Sequence, residues 1–268
     1  MPDALRRLGA AFVLVATGGL GLGACREQPI KGAATSSTSA SGFPSVPEVT
    51  NPSSPSSTAL APTTGCPANT GVGAPAGSAT RQTVDLDGDG KPDTAWFPKV
   101  GKGGRRFGIT TATGGVSSIT VPLAGPQPLK ALVANMDARG PVEIIISDGR
   151  TALLYAFVNC KITPVLNAQH ATYTFDLGFR GTGTGVGCAD VDGSGDGVPE
   201  LVGLNIETEV NNTVTYTRTL IVLNGTSARN GKSTTGTYRL PGQQHQVDLL
   251  STIACGDDVI GNDLTEPG

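Results

Sequence analysis

The segment from Val84 to Phe97 reads VDLDGDGKPDTAWF and carries the clearest structural signal in the chain. Its first part alternates acidic residues with glycines, and its last part is a short apolar run that stops before Pro98. Asp and Gly in this arrangement favour a tight turn, whereas Thr-Ala-Trp-Phe is typical of a buried strand. The segment therefore predicts an acidic loop that leads directly into a strand.

Two weaker copies of this segment follow, ANMDARGPVEIIIS and ADVDGSGDGVPELVGL. Each copy has a small or apolar residue, an acidic turn, Pro within two residues of an acid, and then an apolar strand. If Asp85, Asp137 and Asp190 are equivalent, the copies lie 52 and 53 residues apart, and a fourth copy would start at Ala254. That period suits a unit of four short strands.

Other apolar stretches are also short and bounded by turn residues. Residues 143–146 are followed almost at once by residues 151–158, which predicts a hairpin. Residues 213–219 alternate in polarity, run into an apolar stretch, and end at Asn224-Gly225, a second hairpin signal. No stretch of ten or more residues has a convincing helical period, so residues 65–268 are predicted to form one all-β domain. Propeller-like blades, three to four in a small or incomplete β-propeller, are the favoured arrangement, and a β-sandwich is the alternative.

The acidic loop has the spacing of a calcium site. Calcium takes six to eight oxygen ligands, which a curled loop can supply from side chains at positions one, three, five and nine and a carbonyl at position seven. Those positions are Asp85, Asp87, Asp89, Asp93 and Lys91, respectively. Gly90 at position six permits the sharp turn. The loop is not an EF-hand, because position twelve is Trp96 instead of Glu and no helix flanks it.

The third copy offers a second candidate calcium loop. In the preferred register, the side-chain ligands and the carbonyl come from Asp192, Ser194, Asp196, Glu200 and Val198. Asp190 is an additional candidate ligand. The middle copy has Ala138 and Arg139 in place of acids, and no calcium is expected there.

Both loops resemble the D-x-[DN]-x-D-G-x-x-D loop of FG-GAP or VCBS repeats, which occur in integrin-like β-propellers. The resemblance implies structural Ca²⁺ in the two loops and a blade-type fold. It is loose outside the loops: the Phe-Gly and Gly-Ala-Pro strand of such repeats is not legible, and three or four blades are fewer than usual. The complete layout also resembles repeat-bearing lipoproteins of high-GC actinobacteria.

The N-terminus has the features of an exported lipoprotein. Arg6 and Arg7 precede an apolar segment that is too short to span a bilayer, and the segment ends in Leu-Gly-Ala-Cys25. This motif resembles the bacterial lipobox, so residues 1–24 are predicted to be a signal peptide and Cys25 the lipidated residue. More than half of residues 26–64 are Ser, Thr or Pro, which predicts that 25–64 form a disordered linker to a membrane anchor. The domain would then lie on the extracytoplasmic face of the cell membrane.

Four cysteines remain after Cys25, and an even number in an exported chain indicates two disulfides. Three pairings are possible. The similar contexts Cys188-Ala-Asp and Cys255-Gly-Asp favour Cys188–Cys255, which leaves Cys66–Cys160.

The composition favours a binding or scaffold role over an enzymatic one. A net charge of −3 without a basic cluster argues against a nucleic-acid partner. The two histidines lie in no recognisable triad pattern, and no Ser occupies a G-x-S-x-G elbow, so no catalytic residue is predicted. We expect a non-enzymatic module for an unknown protein or glycan ligand; an exported hydrolase and a ligand-carrying lipoprotein remain alternatives.

Overall fold

A computed structural model describes residues 65–137, 140–178, 184–191, 198–256, 258–261 and 264–268. These residues all belong to one unit of the chain, Ser57–Gly268. The predicted signal peptide, Cys25 and the linker to residue 64 lie outside the described residues, as do Asp192, Ser194 and Asp196. Among the residues that are described, no helix has both the length and the apolar character that crossing a membrane requires.

The fold is all-β, as the sequence predicts. Each of its three larger sheets contains four antiparallel strands that are consecutive in the chain and paired in that order; two of these sheets have only those four strands, and the third has six. Sheet I consists of β1 (Ala79–Gln82), β2 (Thr94–Phe97), β3 (Arg106–Thr110) and β4 (Val116–Thr120). The central strands of sheet II are β5 (Lys130–Ala134), β6 (Glu143–Ser147), β7 (Thr151–Val158) and β8 (Lys161–Pro164). Sheet III consists of β10 (Thr184–Ala189), β11 (Glu200–Val210), β12 (Thr213–Asn224) and β13 (Ser227–Arg239).

Shorter elements complete the described structure. Strand β9 (Thr174–Asp176) pairs with β7, and β16 (Leu264–Thr265) pairs with β5, so both extend sheet II. Strands β14 (Ala254–Cys255) and β15 (Asp258–Val259) pair with each other. The helix α1 (Gln244–Leu249) has six residues, in keeping with the absence of any long helical period in the sequence.

Both predicted hairpins are confirmed. Strands β6 and β7 are antiparallel neighbours, with Ser147 opposite Ala152 across the turn. Strands β12 and β13 are likewise antiparallel, with Asn224 opposite Ser227. In each case the turn lies where the sequence places its Gly-containing pair.

Sheet II is buried on both faces, and this explains its nearly continuous apolar strands. Successive residues of a strand point to opposite faces. Accordingly, Ile144 and Ile146 of β6 belong to a core shared with Phe97 of sheet I, whereas Ile145 belongs to a second core shared with Leu201 of sheet III. The middle sheet thus packs against both of the other sheets.

Sheet I contains the only tryptophan of the chain, and a glycine makes room for it. Trp96 is fully buried, and its indole N–H donates to Thr110 Oγ1 at 3.1 Å. Gly108 lies opposite Trp96 on β3, and a Cβ built on Gly108 would be 2.1 Å from the indole ring. The absence of a side chain at position 108 therefore lets the ring lie flat on the neighbouring strand.

The C-terminal strand fastens sheets I and II together. Glu266, which follows β16, accepts hydrogen bonds from the Arg105 guanidinium and from the Leu129 backbone N–H, the latter at 3.2 Å. Arg105 also donates to the carbonyls of Gly125 and Gln127. This buried ion pair connects the segment before β3 to the end of the chain.

Both predicted disulfides are confirmed. Cys66 is bonded to Cys160 with a Cα–Cα distance of 5.5 Å, and Cys188 is bonded to Cys255 at 4.8 Å. The first bond joins the segment before sheet I to the turn between β7 and β8, and the second joins β10 to β14.

Candidate functional site: an acidic loop between β1 and β2

The first acidic loop connects the two neighbouring strands β1 and β2. Its ends are held together because Thr83 N–H donates to the Asp93 carbonyl at 2.8 Å and Asp93 N–H donates to the Val84 carbonyl at 3.4 Å. Gly90, at the position where the sequence predicts a sharp turn, has a φ of 81°, which residues with a side chain rarely adopt. The strand pairing and this turn fold the residues between them into a compact curl.

Three carboxylates converge inside this curl. Asp85, Asp87 and Asp89 each place one carboxylate oxygen so that the three oxygens lie within 4.8 Å of one another. All three side chains are partly buried. Three negative charges at this separation repel one another, and a bound cation would relieve the repulsion.

Backbone N–H groups hold the three carboxylates in place. Asp85 accepts hydrogen bonds from Gly88 and Gly90, both at 2.7 Å. Asp87 accepts from Cys66 at 2.6 Å and from Asp89 at 3.3 Å. These hydrogen bonds fix the orientation of the carboxylates without the help of an ion.

Asp89 has one oxygen that the described residues do not satisfy. Its Oδ1 accepts from the Lys91 N–H at 2.8 Å, whereas its Oδ2 is buried and has no hydrogen-bond partner among the described residues. A buried oxygen without a donor is unfavourable unless water or a cation occupies the space beside it. Together with the converging carboxylates, this oxygen shows that the residues of the loop fit a divalent cation.

Asp93 has a different environment from the other predicted ligands. It is 1% exposed, its Oδ2 accepts from the Leu86 N–H at 2.8 Å, and its Oδ1 accepts from the Ala112 N–H at 2.9 Å. Burial raises its pKa, with a further rise from the nearby charges of Asp87 and Asp85, although the two backbone hydrogen bonds oppose the shift. The structure thus places Asp93 as an anchor between strands, outside the cluster of three carboxylates. Lys91 is exposed and contributes its N–H to the loop.

The anchoring hydrogen bond of Asp93 recurs once in each of the three sheets. In sheet II, Glu143 Oε2 accepts from the Met136 N–H at 2.8 Å. In sheet III, Glu200 Oε2 accepts from the Val191 N–H at 2.9 Å. Each bond joins an acid to the loop that precedes it: Glu143 and Glu200 begin β6 and β11, and Asp93 immediately precedes β2.

This recurring bond corrects the alignment of the repeats. It makes Leu86, Met136 and Val191 equivalent, so the residues before them, Asp85, Asn135 and Asp190, are equivalent as well. The sequence alignment that matched Asp137 with Asp85 is therefore shifted by two residues. Asn135 carries no charge, and the first acid of this copy, Asp137, lies two residues later.

The loop between β5 and β6 brings two acids together. Glu143 is 1% exposed and is hydrogen-bonded to Asp137. Burial, with the charge of Asp137 as a smaller cause, raises the pKa of Glu143 to about 8. Two carboxylates can form a hydrogen bond only if one of them is protonated, so Glu143 is neutral near pH 7. Nothing in the sequence pattern had singled out this pair.

Only part of the second predicted calcium loop can be placed. Asp190 is exposed at the end of β10, Val198 is partly buried, and Glu200 is 7% exposed and serves as the anchor described above. Asp192, Ser194 and Asp196 lie outside the described residues, so their convergence on an ion stays a prediction.

The first disulfide touches the acidic loop directly. Cys66 is the residue whose N–H donates to Asp87, and its own carbonyl accepts from the hydroxyls of Thr111 and Thr113. The covalent bond to Cys160 therefore holds the donor of Asp87 in position. Sequence spacing could not reveal this contact, because Cys66 and Asp87 are 21 residues apart.

Comparison with known proteins finds no family model, no curated protein and no solved structure that matches this chain. The chemistry of the acidic loop is therefore the principal guide to function.

Proposed function

We propose that this chain is a lipid-anchored lipoprotein of the extracytoplasmic membrane face whose β-repeat domain is stabilised by calcium and acts as a non-enzymatic binding or scaffold module. The observation that supports the calcium site is the Oδ2 of Asp89, which is buried beside the carboxylates of Asp85 and Asp87 and accepts no hydrogen bond from the described residues. Hard carboxylate oxygens in a flexible loop suit Ca²⁺ better than Mg²⁺, which prefers rigid, water-rich octahedral sites.

We further propose that the three sheets are blades of a small or incomplete propeller. Two features support this arrangement: each sheet contains four consecutive antiparallel strands, and each repeats the same hydrogen bond between the loop after the first of these strands and the acid at the start of the second. The burial of sheet II on both faces suits stacked blades, whereas a two-layer sandwich would leave one face of each sheet exposed. The FG-GAP-like loop spacing agrees with this proposal.

In this proposal, calcium fastens the connection between β1 and β2. An ion that binds only the folded state raises the free energy of unfolding by about 2.7 kcal/mol when its concentration is 100 times the dissociation constant. The second loop, with Asp190, Asp192, Ser194, Asp196, Val198 and Glu200 as proposed ligands, would add a second ion. Isothermal titration with Ca²⁺ distinguishes one bound ion from two.

The decisive experiment compares melting temperatures in calcium and in chelator. The wild-type protein is expected to melt at a higher temperature in calcium, and Asp89→Asn should abolish that difference because it removes the charge while the amide oxygen can still accept from Lys91. The matched control is Asp248→Asn, at an exposed position on α1, which should leave the calcium effect unchanged. Equal melting temperatures for the wild-type protein in calcium and in chelator would refute the structural role of the ion.

The membrane anchor is tested separately. Replacing Cys25 by Ser removes the thiol that would receive the lipid, so the protein should move from the membrane fraction to the soluble fraction. Cys66→Ser is an unsuitable control because it breaks a disulfide; Ser37→Ala in the predicted linker leaves every cysteine intact and should stay in the membrane fraction. Membrane retention of the Cys25→Ser protein would overturn the anchor.

A further inference from the structure

One face of sheet III and the helix α1 enclose a pocket of about 240 Å³, far from the acidic loop in the sequence. Tyr216 and Arg218 lie two residues apart on β12 and therefore on the same face, and Tyr238 of β13 stacks on Tyr216 with 4.7 Å between ring centroids. Gly236, opposite Tyr216, leaves space for the ring, since a Cβ there would be 2.6 Å from it. The two strands thus place a stacked pair of tyrosine rings along one side of the pocket.

In the described part of the chain, no anionic side chain pairs with the guanidinium of Arg218. Among the described residues it forms no ion pair, and its Nε is buried without an acceptor. The hydroxyl of Thr234, which lies opposite Arg218 on β13, is also buried and has no hydrogen-bond partner among the residues that the structure describes. The guanidinium carbon lies 5.7 Å from the centroid of the Tyr216 ring, a cation–π contact that leaves its N–H groups free to bind an acceptor.

The described residues that line the pocket offer no counter-ion. None of the described residues that line it is Asp or Glu. Burial and a hydrogen bond with Tyr238 raise the pKa of Tyr216 to about 12, so its hydroxyl is neutral at physiological pH. The charge of Arg218 is therefore available to a ligand.

The remaining lining sets the size and character of that ligand. Leu204 of β11 and Leu249 and Leu250 at the end of α1 supply apolar walls, and the side chain of Gln246 adds an amide. A volume of about 240 Å³ is below the range of drug-sized sites and suits a single ring. Guanidinium groups bind carboxylates through two parallel hydrogen bonds.

We propose that this pocket binds a compact, ring-bearing carboxylate, with the carboxylate on Arg218 and the ring against Tyr238 and the leucine side chains. A carboxylated sugar and an aromatic acid share this chemistry. The inference deepens the proposed binding role and rests on it, but the site itself requires no calcium.

The test uses the ring signals of the four tyrosines in NMR spectra of the purified full-length chain. D-glucuronate and benzoate are titrated as probes, with D-glucose and benzyl alcohol as their neutral counterparts. At least one acid should shift the signals of Tyr216 and Tyr238 but not those of Tyr155 and Tyr173, which lie in other parts of the fold. Its neutral counterpart should bind at least about tenfold more weakly, because it cannot form a charged hydrogen bond. Whichever acid binds identifies the ring type.

Substitutions assign the binding to the guanidinium. Arg218→Gln should weaken the binding of the acid about tenfold or more, and Arg218→Lys should fall between it and the wild-type protein, because Lys keeps the charge but lacks the paired N–H groups. The same change at an exposed arginine of β13, Arg229→Gln, is the matched control and should have no effect. Circular dichroism confirms that each variant is folded.

Four results would overturn the proposal: no tyrosine shift with either acid at tens of millimolar, equal affinity in Arg218→Gln, equal affinity for inorganic sulfate, or loss of acid binding in Asp89→Asn. The last result would place the acid on the acidic loop. Retained acid binding in a protein that shows no calcium-dependent melting would instead contradict the calcium role alone.

Discussion

Replacing Glu143 by Gln is expected to stabilise the protein increasingly as the pH rises from 5 to 8. Glu143 is buried, accepts a hydrogen bond from Met136 and shares a proton with Asp137. A Gln side chain reproduces the protonated acid, since its oxygen can accept from Met136 and its amide group can donate to Asp137. The variant keeps both contacts without needing a proton.

The size of the effect follows from the pKa of Glu143, which rises from 4.5 to about 8 on folding. Above pH 4.5 the unfolded chain loses this proton while the folded chain keeps it, so the wild-type protein becomes less stable as the pH rises. The loss is about 1.4 kcal/mol per pH unit, which gives about 3 kcal/mol by pH 7 and about 5 kcal/mol once the pH passes the folded pKa. These are upper values, because a buried site can relax when it ionises.

The assay is urea denaturation at a series of pH values in chelator, followed by the fluorescence of the single, fully buried Trp96. The free energy of unfolding of Glu143→Gln should exceed that of the wild-type protein by an amount that grows between pH 5 and pH 8. Glu209→Gln, at an exposed position on β11, is the matched control and should follow the wild-type curve. Parallel curves for Glu143→Gln and the wild-type protein would refute the shared proton.

Two further substitutions test the packing of sheet I and its attachment to the C-terminus. Gly108→Ala should lower the free energy of unfolding by about 1–3 kcal/mol, because the new methyl group overlaps the Trp96 ring. In the same denaturation assay Gly103→Ala should be neutral, because a Cβ at that position meets open space. Equal stability of the two variants would contradict the close packing of Trp96 on Gly108. Glu266→Gln removes the charged partner of Arg105 in a buried ion pair and should lower the free energy of unfolding by about 3–5 kcal/mol. A loss below about 1 kcal/mol would show that water solvates the charge of Arg105.

The sequence predicted the local structure of the chain better than the packing of its sheets. Short apolar runs bounded by Gly-containing turns were sufficient to place the β6–β7 and β12–β13 hairpins, because strand period and turn chemistry are local properties. The continuous apolar run of β6 indicated burial, but not that Ile144 and Ile145 belong to different cores. That distinction depends on which sheets lie on either side, and sequence period alone does not specify it.

The candidate site was likewise predicted in part. The spacing of Asp85, Asp87 and Asp89 correctly indicated that the three carboxylates converge, since a tight loop brings alternate side chains together. The same pattern also made Asp93 a predicted ligand, and the structure shows that each of its oxygens accepts a backbone hydrogen bond, so its contact with an ion stays a prediction. An acid that binds an ion and an acid that anchors a strand look identical in sequence when both follow a Gly-rich loop. The sequence also could not show that Arg218 forms no ion pair among the described residues, because that depends on which side chains the fold brings near it.

Both ends of the described domain are fastened to the same sheet. At the N-terminal end, Cys66 is covalently bonded to Cys160, in the turn between β7 and β8, and at the C-terminal end β16 is hydrogen-bonded to β5. Each of these two segments can detach from the domain only when a bond to sheet II breaks. Local unfolding that starts at either segment would therefore have to disrupt sheet II, the sheet that is buried on both faces.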